Sequence, residues 1–279
     1  MKFRAALCQV EIVPGDQEAN LKRAEEIVRA YAPLADLIIF PELFGVGYDL
    51  PRMREFAQSL SDEYQRRMAE LARRHKRWVI AGSVPVLVDD PGETRVQNVA
   101  LVYDPEGREA ARYAKIHPCG LTGEPEYFVG GREPVVFDLP WCKAGLLICY
   151  DMRFPELPRA LRIMGADVIF DIAQWGRARA DHWTVFLRAR AIENQVFMVG
   201  VGRPGAEGEL GFAARSAVFG PSGERIIELG DSEEIAVVTI DVDEVEKARR
   251  ESPSWLDRHP DVYGELRAEP RAQSPEHGG

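Results

Sequence analysis

Nine short apolar runs punctuate the chain: Ala5 to Val10, Leu37 to Phe40, Trp78 to Ala81, Val99 to Tyr103, Gly145 to Tyr150, Val168 to Ile172, Val196 to Val201, Ser216 to Phe219 and Ile235 to Ile240. Each is bounded by polar or turn-forming residues and is too short for a globular helix, so the runs predict buried strands. Between several of them apolar residues recur at helical spacing instead, as in Leu21, Ala24, Ile27, Val28 and Tyr31, and over Tyr64 to Arg74, Pro155 to Met164 and Asp181 to Asn194. These stretches predict helices that lay one face on a sheet. Asp104-Pro105-Glu106-Gly107 and Gly220-Pro221-Ser222-Gly223 are turn sequences with strand-like runs on both sides, so they predict hairpins. Strands joined by helices in some places and by tight turns in others make the expected fold α/β with mixed sheets. No linker or repeat interrupts residues 1–251, whereas 252–279 is rich in Pro, Glu, Arg and Gly. One domain over 1–251 and an extended tail over 252–279, partly disordered or packed on a partner, are expected.

Charge narrows the class of partner. Among 279 residues, 35 Lys and Arg stand against 45 Asp and Glu, a net charge of −10. Affinity for phosphate backbones and anionic membranes needs the opposite balance, so nucleic-acid and membrane partners are not expected and a small molecule is. The four cysteines form no C-x-x-C pair, and the five histidines are scattered without an H-E-x-x-H motif, so neither a disulfide framework nor a metal site is expected. No apolar stretch reaches the ~18 residues of a membrane helix, and a cytoplasmic protein is expected. Gly200-Val201-Gly202-Arg203-Pro204-Gly205 matches a dinucleotide-binding pattern, but the following residues, Ala206 to Gly211, are too glycine-rich to open the required helix. No G-x-S-x-G occurs, and no cofactor is expected.

Three segments can carry chemistry. Phe40-Pro41-Glu42-Leu43-Phe44 places a carboxylate at the end of an apolar strand, where partial desolvation would raise its pKa toward the range of a general base. Pro41 and Glu42 could equally open a helix. Tyr113-Ala114-Lys115-Ile116-His117-Pro118 sets a lysine between apolar neighbours, although a lone lysine is more often a solvated charge. Gly145 to Glu156 ends a strand at Cys149, and Pro155 and Glu156 then start a helix. That position predicts a thiol exposed at the sheet edge near a helix N-terminus, with its pKa lowered. A base, a cation and a thiol at three strand ends are the parts needed for acyl transfer.

In chain order these segments resemble the Glu-Lys-Cys motifs of the carbon-nitrogen hydrolase, or nitrilase, superfamily. Phe40-Pro41-Glu42, Lys115 and Cys149-Tyr150-Asp151 with Arg153-Phe154-Pro155-Glu156 carry the likeness, supported by His182-Trp183 through Gln195 and by Asp261-Val262-Tyr263. The resemblance implies a four-layer α-β-β-α sandwich of two mixed sheets that dimerises through one helical layer, with the tail reaching a partner copy. It implies Glu42, Lys115 and Cys149 as catalytic residues, with the Tyr150 N–H sharing the oxyanion hole with Lys115. It also implies a second glutamate, for which Glu124 is the first candidate and Glu126 the other. The string from Cys149 to Leu157 is similar to the branch containing ω-amidases and deaminated-glutathione amidases, which implies a small carboxylate-bearing amide as substrate. Arg153 and Trp175 are the expected substrate contacts, with Arg177 and Arg179 nearby, although each arginine could instead serve a structural ion pair. A nitrilase or an N-carbamoyl amino acid amidohydrolase would share the triad, and a non-catalytic binding protein would share the fold.

Overall fold

A computed structural model describes residues 1–263, so 264–279 of the expected tail lie outside the described residues. In chain order the strands are β1 Lys2–Gln9, β2 Leu37–Ile39, β3 Trp78–Asp90, β4 Glu93–Tyr103, β5 Glu109–Ala114, β6 Val136–Leu139, β7 Cys142–Ile148, β8 Val168–Ala173, β9 Phe197–Gly202, β10 Ala206–Glu207, β11 Leu210–Gly211, β12 Ala217–Phe219, β13 Arg225–Glu228 and β14 Glu234–Asp241. The helices are α1 Gln17–Tyr31, α2 Met53–Ser59, α3 Ser61–His75, α4 Glu156–Ile163, α5 Ala180–Asn194, α6 Asp243–Glu251 and α7 Pro260–Tyr263.

Two six-stranded sheets form, in the orders β14-β1-β2-β3-β4-β5 and β13-β12-β9-β8-β7-β6, with β10 and β11 as a separate hairpin. Each sheet has a parallel trio, β1-β2-β3 in one and β7-β8-β9 in the other, flanked by antiparallel strands. The trio strands are apolar on both faces because both faces are covered. In β1, Ala5 and Leu7 join the core that continues into the second sheet, while Ala6 and Cys8 join Leu21, Val28, Met68 and Leu71 of α1 and α3. Trp183 and Leu187 of α5 and Leu161 of α4 cover the second sheet on its far side. The result is an α-β-β-α sandwich, as the resemblance implied.

All nine predicted runs contain a strand, and both predicted hairpins form. The run expected to extend to Tyr150 ends at Ile148, and Cys149 already begins a 3-10 turn, Cys149–Arg153. Pro41 and Glu42 open no helix; residues 42–46 are turn. The charge-rich α6, from which only Val245 and Ala248 are buried, offered too little apolar periodicity to be foreseen. No helix among the described residues is long and apolar enough to cross a membrane.

Candidate active site

The turn after β2 drives Glu42 into the space between the sheets. Its path needs Gly82, which sits at φ +68 beside a register shift in the β3–β4 pairing. A Cβ there would meet the Pro41 carbonyl oxygen at 2.2 Å. Ser83, next along β3, accepts the Leu43 N–H at 2.8 Å and closes the turn.

Glu42 is fully buried and bonded from both sheets. Its Oε1 accepts from Asn98 Nδ2 of β4 at 2.8 Å and from Lys115 Nζ at 2.9 Å; its Oε2 accepts the Gln174 N–H, beyond β8, at 2.9 Å. Lys115, just past β5, is 1% exposed and also donates to Glu124 Oε1 at 2.8 Å. Glu124 is buried in turn by the Cys119 N–H on Oε2, at 2.7 Å, and by the Tyr48 hydroxyl on Oε1. Glu126 is exposed. Of the two candidates for the second glutamate, the geometry therefore joins Glu124 to Lys115.

These partners decide the charges. Burial pushes the Glu42 carboxyl above its ordinary range; Lys115 opposes the shift and Glu124 adds to it. Burial works against the Lys115 ammonium, but Glu124 and Glu42 beside it hold its pKa well above the usual lysine range. Lys115 is thus a permanent cation rather than a proton shuttle.

Cys149 has φ +53, a left-handed conformation that costs a non-glycine residue energy and tends to occur at functional sites. Two aspartates absent from the expected site hold this elbow. Asp151 Oδ2 accepts from the Ile148 N–H and the Tyr113 hydroxyl, while Oδ1 accepts the His117 N–H, so the Cys149 turn is tied to the Lys115 loop. Asp171 Oδ1, in β8, accepts the Cys149 N–H at 2.6 Å. The expectation of an exposed thiol with a lowered pKa is overturned: Cys149 is 7% exposed and its thiol lies well above the ordinary range. Burial is the main cause and the Glu42 charge adds to it, outweighing Lys115 and any effect of the short 3-10 turn.

The thiol lines a pocket of about 120 Å³ with Cys119, Tyr150, Arg153, Gln174, Trp175 and Arg179. Tyr48, Leu121, Thr122 and Leu210 belong both to this pocket and to a wider bowl of about 760 Å³. The Arg153 guanidinium lies 4.7 Å from the Trp175 ring centre and 5.3 Å from that of Phe186. Its Nε is buried with no hydrogen-bond partner, and among the described residues it forms no ion pair. Trp175 is fixed below it by donating Nε1–H to the Arg179 carbonyl at 2.7 Å. Arg177 donates to the Phe212 carbonyl and is not part of the pocket lining. Tyr150 lies in the first turn after Cys149, where backbone N–H groups have no partner within the turn.

Sequence reasoning reached Glu42, Lys115, Glu124 and Cys149 but gave no role to Asn98, Gln174, Tyr48, Asp151 or Asp171. Asp171 did carry a signal, as an acid inside an otherwise apolar strand. Asn98 and Tyr48 carried none, because only the folded chain brings them to the site. No cluster of metal-ligating side chains exists among the described residues.

The buried glutamate, lysine and cysteine meet between two mixed sheets as the resemblance implied, and the carbon-nitrogen hydrolase family model matches residues 4–250. The chain belongs to this family, as a hydrolase of carbon–nitrogen bonds outside peptides. It is 35% identical over 263 residues to the 2-oxoglutaramate amidase of Bacillus subtilis (strain 168), covering 94% of this chain and 100% of that one. It is 30% identical over 272 residues to human omega-amidase NIT2, covering 94% and 96% respectively. The solved structure of an amidase from Nesterenkonia sp. superposes with a TM-score of 0.82 at 28% identity, covering 95% of this chain and 96% of that one.

Proposed function

We propose that the protein releases ammonia from a small amide that carries a carboxylate elsewhere, through a thioester on Cys149. The observation that carries this reading is the Arg153 guanidinium, which lines the Cys149 pocket with a buried Nε that has no partner, and no carboxylate beside it, among the described residues. Guanidinium binds a carboxylate by paired, charge-assisted hydrogen bonds, and a pocket of about 120 Å³ suits a small acid. The names of the B. subtilis and human relatives point to the same substrate class.

In this mechanism Glu42 accepts the Cys149 proton, and the thiolate attacks the amide carbonyl carbon. Lys115 and the Tyr150 N–H receive the oxyanion. Glu42 returns its proton to the departing nitrogen, so ammonia leaves and a thioester remains. Glu42 then deprotonates a water that attacks the thioester and returns that proton to sulfur as the C–S bond breaks, so the acid leaves and the Cys149 thiol is regenerated. Glu124 keeps Lys115 charged and aimed, while Trp175 and Arg153 hold the substrate. Residues 1–251 are taken as the catalytic unit, with pairing of two copies through the α4 and α5 layer. Apolar Ile163, Val185 and Ile192 exposed on that layer support the pairing.

The test is ammonia release from 2-oxoglutaramate, 2-oxosuccinamate, N-carbamoyl amino acids and simple nitriles, with Cys149→Ala as control. Turnover of the carboxylate-bearing amides that the variant lacks is expected. Turnover only of carbamoyl compounds or nitriles would overturn the substrate class, and activity retained by Cys149→Ala would overturn the nucleophile.

A further inference from the structure

Asp171 is the only ionisable residue of β8, whose other members are Val168, Ile169, Phe170, Ile172 and Ala173. It is paired in register with Leu147 of β7 and Gly200 of β9, and no part of it reaches solvent. The mechanism above makes no use of it.

Two carboxyl groups flank the Cys149 elbow, and their surroundings differ. Asp151 has donors on both oxygens, from Ile148, Tyr113 and His117. Among the described residues Asp171 has a single donor, the Cys149 N–H at 2.6 Å, and its Oδ2 is buried with no hydrogen-bond partner. Its charged neighbours include Asp151, Glu42 and Lys115, and that one cation is already bonded to Glu42 and Glu124. A buried carboxylate so poorly solvated is costly, whereas the neutral acid keeps the acceptor that Cys149 needs and sheds the charge.

We propose that Asp171 is a positioning residue for the nucleophile: as a neutral acid, it holds the Cys149 N–H and so maintains the left-handed backbone that presents the thiol to the pocket. Burial, acting in the same direction, pushes the Asp171 carboxyl well above the usual range. A neutral group here spares the forming thiolate a negative charge at its back. An apolar residue would fill the strand position more favourably for stability but would leave the Cys149 N–H buried and unpaired. The proposal rests on Cys149 being the nucleophile and is independent of which amide is cleaved.

The experiment compares Asp171→Asn and Asp171→Leu with the wild type. The first readout is the rate at which iodoacetamide alkylates Cys149, followed by peptide mass mapping, with Cys149→Ala as the unlabelled control. That reaction forms the S–C bond, releases iodide and the thiol proton, and breaks no C–N bond. The second readout is kcat and KM for ammonia release. Asparagine keeps a neutral acceptor in the same place, so Asp171→Asn is expected to stay within roughly threefold of wild type in both readouts. Asp171→Leu removes the acceptor and is expected to slow alkylation and kcat by about tenfold or more, with KM changed by less than about threefold. If Asp171→Leu does not fold, the asparagine variant decides alone: wild-type alkylation sustains the proposal. An Asp171→Asn protein that is as slow as folded Asp171→Leu, or that does not fold, overturns it, as does an Asp171→Leu protein that reacts at the wild-type rate. Normal Cys149 alkylation with no ammonia release from any amide would remove only the substrate reading.

Discussion

At the scale of single residues, the distribution of ion partners separates the groups that do chemistry from the groups that await a ligand. Lys115 already has two carboxylates within 3 Å, which keep its charge at the reacting centre rather than offering it to a substrate carboxylate. Arg153 is held instead by aromatic faces, with Trp175 and Phe186 fixing its plane while leaving its donors unclaimed by an ion pair. Arg153→Ala is therefore expected to raise KM for carboxylate-bearing amides by about tenfold or more, since hydrogen bonds to charged groups contribute about 1.5–3 kcal/mol. Neutral amides of the same length should show a much smaller change. Equal effects on both in steady-state kinetics would remove Arg153 from substrate recognition. The cysteine teaches the complementary lesson. Its position at a strand end was legible in the sequence, but its protonation state was not, because burial and Glu42 are supplied by the fold.

At the scale of elements, the site is assembled from turns rather than from regular structure. Glu42 follows β2, Lys115 follows β5, Cys149 follows β7 and Gln174 follows β8, and cross-links between these turns hold the geometry. Asp151 bridges the Cys149 and Lys115 turns, and Gln174 bridges the sheets by donating Nε2–H to the Glu42 carbonyl at 2.8 Å. The β3 irregularity is part of this assembly, since Gly82 lets Pro41 and Glu42 pass against the strand. Gly82→Ala combines a strained positive φ with a backbone collision, so it is expected to destabilise the protein by about 2 kcal/mol or more. It should also lower kcat by displacing Glu42. Urea unfolding with parallel kinetics measures both, and an unchanged unfolding midpoint would show that the turn has room to adjust.

At the scale of the whole molecule, α5 has apolar residues on opposite sides. Trp183, Leu187 and Ala191 face the core, whereas Val185 is 62% and Ile192 48% exposed. A helix patterned in this way is only half covered by its own sheet. Val185→Asp is expected to shift the protein toward the monomer in size-exclusion chromatography with light scattering, and a wild type that is monomeric at micromolar concentration would refute pairing through this layer. Much of the architecture was legible beforehand. Continuous apolar runs, helical spacing and two Pro-Gly turns specify local structure, because local conformation depends on which residues can be buried on which face. Glu42, Lys115 and Cys149 stood out as residues at or just beyond strand ends, but each was weak alone, and the resemblance to the carbon-nitrogen hydrolases was what grouped them. What the tertiary structure alone decided is everything that depends on two distant segments meeting. It determined that Glu124 rather than Glu126 reaches Lys115, that Asp151 and Asp171 hydrogen-bond the Cys149 turn, and that Arg153 finds aromatic faces instead of a carboxylate. It also reversed the expected ionisation of Cys149, because desolvation is a property of the packed interior and has no signature in the order of residues along the chain.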